Sequence, residues 1–200
     1  MYIRPSKGGV ILKNFERNNL MFSLCGLNCA LCTMKLDYYC PGCGGGAGNQ
    51  GCAIARCSLT HCGLEYCFQC EEYPCEKYKD IEAFDSFITH RNQLKDMEKA
   101  QRIGIKQYNS ELEEKADILQ NLLANYNDGR HKGFFCIAVN LLELQEIKDV
   151  MEQISIKTSS TNLSLKEKAA MATGLFQAIA KIRSIVLKLN KKPSKNSSSL

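Results

Sequence analysis

The sequence predicts a small metal-stapled irregular Cys-rich module followed by an all-α helical part. Two observations predict it. Eleven of the twelve cysteines fall between Cys25 and Cys75, and residues 81–190 carry Leu, Ile, Ala, Glu and Lys at helical spacing with a single cysteine, Cys136. The Gly-rich stretch 21–80 has too few large aliphatic side chains to fold on a hydrophobic core alone, so metal or disulfides must hold it.

Residues 1–20 read as an N-terminal extension, and Met21, just ahead of the first cysteine, is a second candidate start. Gly9-Val10-Ile11-Leu12 is a brief apolar run between Lys7 and Lys13, too short for a signal peptide. The longest apolar stretch, Phe134 to Leu144, is interrupted by Asn140 and Glu143 and falls well below a membrane span. The expected location is therefore the cytoplasm, where thiols stay reduced and serve metals rather than a disulfide framework.

In the module, Cys29/Cys32, Cys40/Cys43 and Cys67/Cys70 are each separated by two residues. A Cys-x-x-Cys turn holds two thiolates on one side of a tight loop, and two such turns brought together make a tetrahedral four-sulfur cage. The sharpest is Cys40-Pro41-Gly42-Cys43-Gly44. Pro41 presets the turn, Gly42 and Gly44 can take positive φ, and freed backbone N–H groups can point back at the sulfurs. Ten candidate ligands result: Cys25, Cys29, Cys32, Cys40, Cys43, Cys52, Cys57, Cys67, Cys70 and Cys75. The expected cofactor is zinc, about two ions per chain. The simplest partition is nested, with Cys40, Cys43, Cys52 and Cys57 on one ion and the pairs Cys29/Cys32 and Cys67/Cys70 on the other. An interleaved set using Cys25, Cys62 or Cys75 stays open. His61 adjoins Cys62, but thiols in surplus make it unnecessary.

Cys25-x3-Cys29-x2-Cys32 is also the spacing with which radical S-adenosylmethionine enzymes hold a [4Fe–4S] cluster. Such enzymes need βα units after the motif, and here more cysteines and then helices follow. An iron–sulfur or thiol redox protein is thus the alternative to a zinc protein.

The helical part is predicted from Glu76 onward, where Tyr78, Ile81, Phe84 and Ile88 recur on one face. A second helix covers 92–106. Ser110 and Glu113 form a capping box for a third, with Leu112, Ala116, Leu119, Leu123 and Tyr126 as its stripe and Asn127-Asp128-Gly129 as its end. Phe134 to Val139 is apolar on every side; its length with Asn140-Leu141-Leu142 predicts a buried helix. A helix over 143–155, a Thr158-Ser159-Ser160-Thr161 linker and a last helix follow. That helix opens on a Ser164/Glu167 capping box and carries Met171, Leu175, Ile179, Ile182, Val186 and Leu189. Within the buried helix, Lys132 and Cys136 share a face, so the cation could activate the thiol; the competing and favoured expectation is a buried, inert cysteine.

Net charge is +5, unevenly spread. Residues 21–80 hold four basic and six acidic residues, a balance of −2. Bound four-thiolate zinc would make the module more acidic still, which argues against docking on a phosphate backbone. The positive charge lies near the C-terminus, on Lys181, Arg183, Lys188, Lys191, Lys192 and Lys195. It reads as a solvated helix face running into a disordered basic and Ser-rich tail, 191–200, with weak nucleic-acid or anionic-lipid contact as the minor alternative.

Four motifs occur in order: Cys25-Gly26-Leu27-Asn28-Cys29-Ala30-Leu31-Cys32, Cys40-Pro41-Gly42-Cys43, Cys52-Ala53-Ile54-Ala55-Arg56-Cys57 and Cys67-Phe68-Gln69-Cys70-Glu71-Glu72-Tyr73-Pro74-Cys75. Over about 55 residues they resemble a prokaryotic Cys-rich domain of unknown function that opens with Cys-Gly-Leu-x-Cys-x-x-Cys and closes with Cys-x-x-Cys-x-x-Tyr-Pro-Cys. The Asn127-Asp128-Gly129-Arg130 to Phe135-Cys136 stretch also looks like a segment found downstream in some members. Cys62 matches no usual family cysteine and is the first choice for a spare thiol. The resemblance implies a cytoplasmic metal-binding module, expected to bind or scaffold a protein partner, and it implies no reaction.

Overall fold

The computed structural model describes residues 12, 14–46, 51–159 and 162–193. The apolar run at Gly9–Ile11, the linker residues Ser160 and Thr161, Lys195 and most of the predicted tail lie outside them. Among the described residues there is no strand. The cysteine module is built from 3-10 turns at Cys29–Leu31, Cys67–Gln69 and Glu76–Tyr78 and two short helices, α1 (Thr33–Leu36) and α2 (Ala53–Thr60). Five longer helices follow: α3 (Gln93–Ile103), α4 (Ile105–Asn125), α5 (Lys132–Leu141), α6 (Leu144–Ser159) and α7 (Leu165–Ile182). α4 packs on α3 and α5, and α7 on α5 and α6.

Module and helices share a core. Phe22, Ala30, Leu31 and Tyr66 belong to the same buried cluster as Met97, Leu112, Leu119, Phe135, Ile147 and Phe176. The predicted all-round burial of the Phe134–Val139 segment is realised in α5, where Phe135 through Leu141 are all buried. A helix buried on every side has no polar face, which is why its sequence shows no period. The last helix opens as predicted: the Ser164 hydroxyl accepts from Glu167 N–H at 3.4 Å and the Glu167 carboxylate accepts from Ser164 N–H at 2.9 Å.

Several helix boundaries differ from the sequence expectation: the helix expected over 92–106 ends at Ile103, and α6 runs on through Thr158 and Ser159, the first half of the expected linker. The stripe Tyr78, Ile81, Phe84, Ile88 is not helical beyond the turn at Glu76–Tyr78, and Phe84 is exposed. Asp80 takes φ +56, and the Asp85 carboxylate accepts from the N–H groups of His90 and Asn190, each at 2.7 Å. A side chain that bonds the backbone in this way competes with helix formation. α4 begins at Ile105, five residues before Ser110, because Gly104 breaks the chain at φ +85; Ser110 lies inside the helix. α7 stops at Ile182, so Val186 and Leu189 do not continue its stripe. Ile185 N–H donates to Ala180 C=O at 2.8 Å and Ser184 N–H to Lys181 C=O at 3.1 Å, with Ser184 at φ +54. This is a Schellman end, with serine where glycine is usual.

Beyond α7 the chain runs as a strap over residues 83–91. Asp85 N–H donates to Asn190 C=O at 2.7 Å, and the Asn190 side chain donates to Ala83 C=O at 2.7 Å. The Arg91 guanidinium donates to Val186 C=O at 2.7 Å and to Lys188 C=O at 3.0 Å.

Candidate metal centre

The loop Cys25–Cys29 is clamped between the module and the helices. Gly26 has φ +99, and a Cβ there would sit 2.4 Å from Met97 Cγ and 2.6 Å from Gln93 O, so α3 rests directly on the glycine backbone. The Gln93 amide donates to Cys25 C=O at 2.9 Å. Asn28, buried, donates through Nδ2 to Asp96 Oδ2 at 2.8 Å and to Asn140 Oδ1 at 3.2 Å, and its Oδ1 accepts from the Tyr108 hydroxyl at 2.8 Å. Burial pushes the Asp96 carboxyl up to about 6, against the pull of the Lys115 cation. The Cys25–Cys29 loop is thereby held by residues of α3, α4 and α5.

Cys29, Cys32, Cys40 and Cys43 are electrostatic neighbours. The backbone N–H groups of Met34 and Lys35 bond the Cys32 sulfur, and Cys43 N–H bonds the Cys29 sulfur. Gly42 and Gly44 take φ +103 and +87, as the sequence predicts. A Cβ at Gly42 would meet Leu20 O at 2.5 Å, and one at Gly44 would meet Arg17 Cβ at 2.7 Å. Both glycines are needed for the turn and for the close approach of residues 17–20.

Arg17 is a participant that sequence reasoning missed, because it falls in the stretch read as an extension. Its buried guanidinium donates to Phe22 C=O at 3.0 Å and to Glu65 C=O at 2.7 Å, pairs with the Glu65 carboxylate at 3.4 Å, and lowers the Cys43 thiol against the larger effect of burial. A lone arginine before the first cysteine carries no spacing signal that could have marked it.

Cys57, Cys67, Cys70 and Cys75, with His61, line a second cavity of about 30 Å³. Cys67 is a neighbour of Cys75, Cys57 and Cys52, and burial pushes its thiol up to about 11; the Tyr78 hydroxyl donates to Cys25 C=O at 3.3 Å. His61 Nδ1 lies 2.9 Å from Cys57 C=O and 3.7 Å from Cys57 Sγ. Cys25 and Cys52 lie between the two sets. Burial pushes Cys25 up to about 12 beside Cys43, Cys52 and Cys29. Cys29, Cys32, Cys40 and Cys43 thus neighbour one another, Cys57, Cys67, Cys70 and Cys75 line one cavity, and Cys52 is a neighbour of both Cys43 and Cys67.

Among the described residues, no three Cys, His, Asp or Glu side chains are grouped tightly enough to hold a metal ion. No family model matches the chain, and neither does any curated protein or solved structure.

The remaining cysteines separate cleanly. Cys62 is exposed at φ +60 beyond α2. Cys136 is buried, and burial pushes it up to about 12 although Lys132 lies near. Lys132 is spent on a salt bridge to Asp37. The favoured expectation of an inert Cys136 therefore matches its surroundings. No helix among the described residues is long and apolar enough to cross a membrane. Of the basic residues near the C-terminus, Arg183 pairs with Glu146 at 3.2 Å, while Lys181, Lys188 and Lys192 are exposed to solvent.

Proposed function

We propose that the chain is a zinc-binding scaffold of the cytoplasm, in which metal adds cross-links to the small apolar clusters of the cysteine module. Cys29, Cys32, Cys40 and Cys43 would hold one ion, and Cys57, Cys67, Cys70 and Cys75 the other. The observation that carries this reading is the set of backbone N–H groups on the Cys29 and Cys32 sulfurs. Such bonds favour the thiolate, and they serve a four-thiolate centre by spreading its negative charge. Arg17 beside Cys43 acts in the same sense. When bound, zinc supplies cross-linking and no redox chemistry.

Tyr38 and Tyr39, 86% and 73% exposed, stand immediately before Cys40. Exposed aromatic side chains favour protein contact, which supports a partner docking at the knuckle rather than on the basic C-terminal end. Single substitutions test the ligand sets. Cys40→Ser is expected to lose one metal per chain and Cys62→Ser none, measured by native mass spectrometry; identical metal content in the two variants would refute the assignment.

A further inference from the structure

A separate cavity of about 250 Å³ lies between the cysteine module, α5 and the strap that follows α7. Leu31, Ile88 and Cys136, all buried, form its floor; Ile137 gives a wall and Leu189 of the strap a roof. An apolar cavity of about 150 Å³ is enough to take up benzene. This one has room for a body of that size with a short polar arm.

The mouth is marked by Phe87, Gly133 and Lys191, which are exposed. Among the described residues that line the cavity, Lys191 alone carries a charge. Its ammonium group is held at the rim, bonded to Ser86 C=O and 5.8 Å from the centre of the Phe87 ring. The hydroxyls of Thr33 and Thr89 donate to Phe87 C=O at 3.4 Å and to Asp85 Oδ1 at 3.2 Å, so neither has a proton to offer a ligand. A guest would therefore meet apolar walls and one cationic handle at the entrance.

We propose that this cavity binds a small amphipathic monocarboxylate, with its apolar body among Leu31, Ile88, Ile137 and Leu189 and its carboxylate on Lys191. A neutral apolar guest would leave the lysine unused, and a dianion would leave one charge without a partner at a mouth that carries a single cation. The roof is fixed by the bonds of Asp85, Arg91 and Asn190 described above, so the site is largely preformed and binding orders little chain. The guest would also lie against Leu31 and Thr33, the two residues flanking Cys32. The site does not depend on the metal reading.

Gly133 provides the test. A Cβ built there meets nothing within 4 Å, so Gly133→Ala is expected to fold and bind, while Gly133→Phe fills the mouth. The probe is phenylacetate, with toluene as its neutral counterpart, followed by calorimetry and saturation-transfer NMR on the full chain as purified. Phenylacetate is expected to bind one per chain and to be lost in Gly133→Phe with an unchanged circular dichroism spectrum. Lys191→Gln is expected to weaken phenylacetate about tenfold, the value of one charge-assisted hydrogen bond, and to leave toluene unchanged. No saturable phenylacetate binding, or binding that survives Gly133→Phe, would overturn the site. Equal losses for both probes in Lys191→Gln would overturn the carboxylate. Should Gly133→Phe not fold, Leu189→Phe fills the cavity from the roof and is read in the same way.

Discussion

Replacing Asp96 by Asn should stabilise the protein at neutral pH, by an amount that shrinks as the solution is acidified. Asp96 is 9% exposed, and burial lifts its carboxyl from 3.8 to about 6. The folded state therefore holds this proton more tightly than the unfolded chain does. Its contribution to stability is fully present below pH 3.8 and is lost as pH rises through about 6. A two-unit shift corresponds to about 3 kcal/mol at pH 8, an upper limit for what Asp96→Asn can recover. The recovered amount is smaller because Lys115, buried beside Asp96, loses an attractive partner and keeps only Glu143 and Glu111. The amide can still accept from Asn28 and meet the Tyr108 hydroxyl, so the shape of the cluster is preserved. One unit below the folded pKa, at pH 5, the wild-type carboxyl regains about 1.4 kcal/mol, so the advantage of the variant should fall by that much between pH 8 and pH 5. Urea denaturation of both proteins at each pH, compared only where their metal content is equal, gives this difference directly. A stability difference that stays constant across the range would refute the reasoning, since Asp96 would then not be titrating within it.

Gly26→Ala should cost about 3 kcal/mol, from positive φ and the clash with Met97 and Gln93 O, and should lower metal content with it; a neutral effect in urea denaturation would show that α3 can back away from the loop. Cys136 should alkylate slowly with iodoacetamide in the native protein, well behind the exposed Cys62, as read by peptide mass spectrometry. Faster labelling of Cys136 would mean that its burial and its raised pKa are not those of the protein in solution.

The parts of the fold that are legible in the sequence are those set by local chemistry. The Ser164/Glu167 box specifies its own hydrogen bonds, and the Cys40-Pro41-Gly42-Cys43-Gly44 turn needs glycines wherever they fall. α5 was readable from length and composition because a fully buried helix must be apolar throughout. What escaped the sequence is long-range. The strap beyond α7 depends on Ser184 accepting a left-handed conformation and on Asp85 waiting 105 residues away to bind Asn190. The helix expected from Glu76 failed for the same reason, since Asp85 gives its carboxylate to the backbone of that strap. In the candidate site, the cysteine spacing proposes thiols but not which of them are neighbours, because that depends on how the Cys25–Cys29 loop and α2 fold back on each other. Arg17 was invisible because its role comes from carbonyl groups at Phe22, Cys43 and Glu65 that only the fold brings together.

The central claim is the proposal that thiols 29/32/40/43 and 57/67/70/75 are zinc sites that cross-link the module internally. Elemental analysis of the anaerobically purified chain, with its visible spectrum, tests it most directly. The account predicts a colourless protein with about two zinc ions per chain, whose removal by chelator opens residues 21–80 to protease. A chain that carries no metal and resists protease equally well, or a brown one with iron and a broad absorption band, would contradict it.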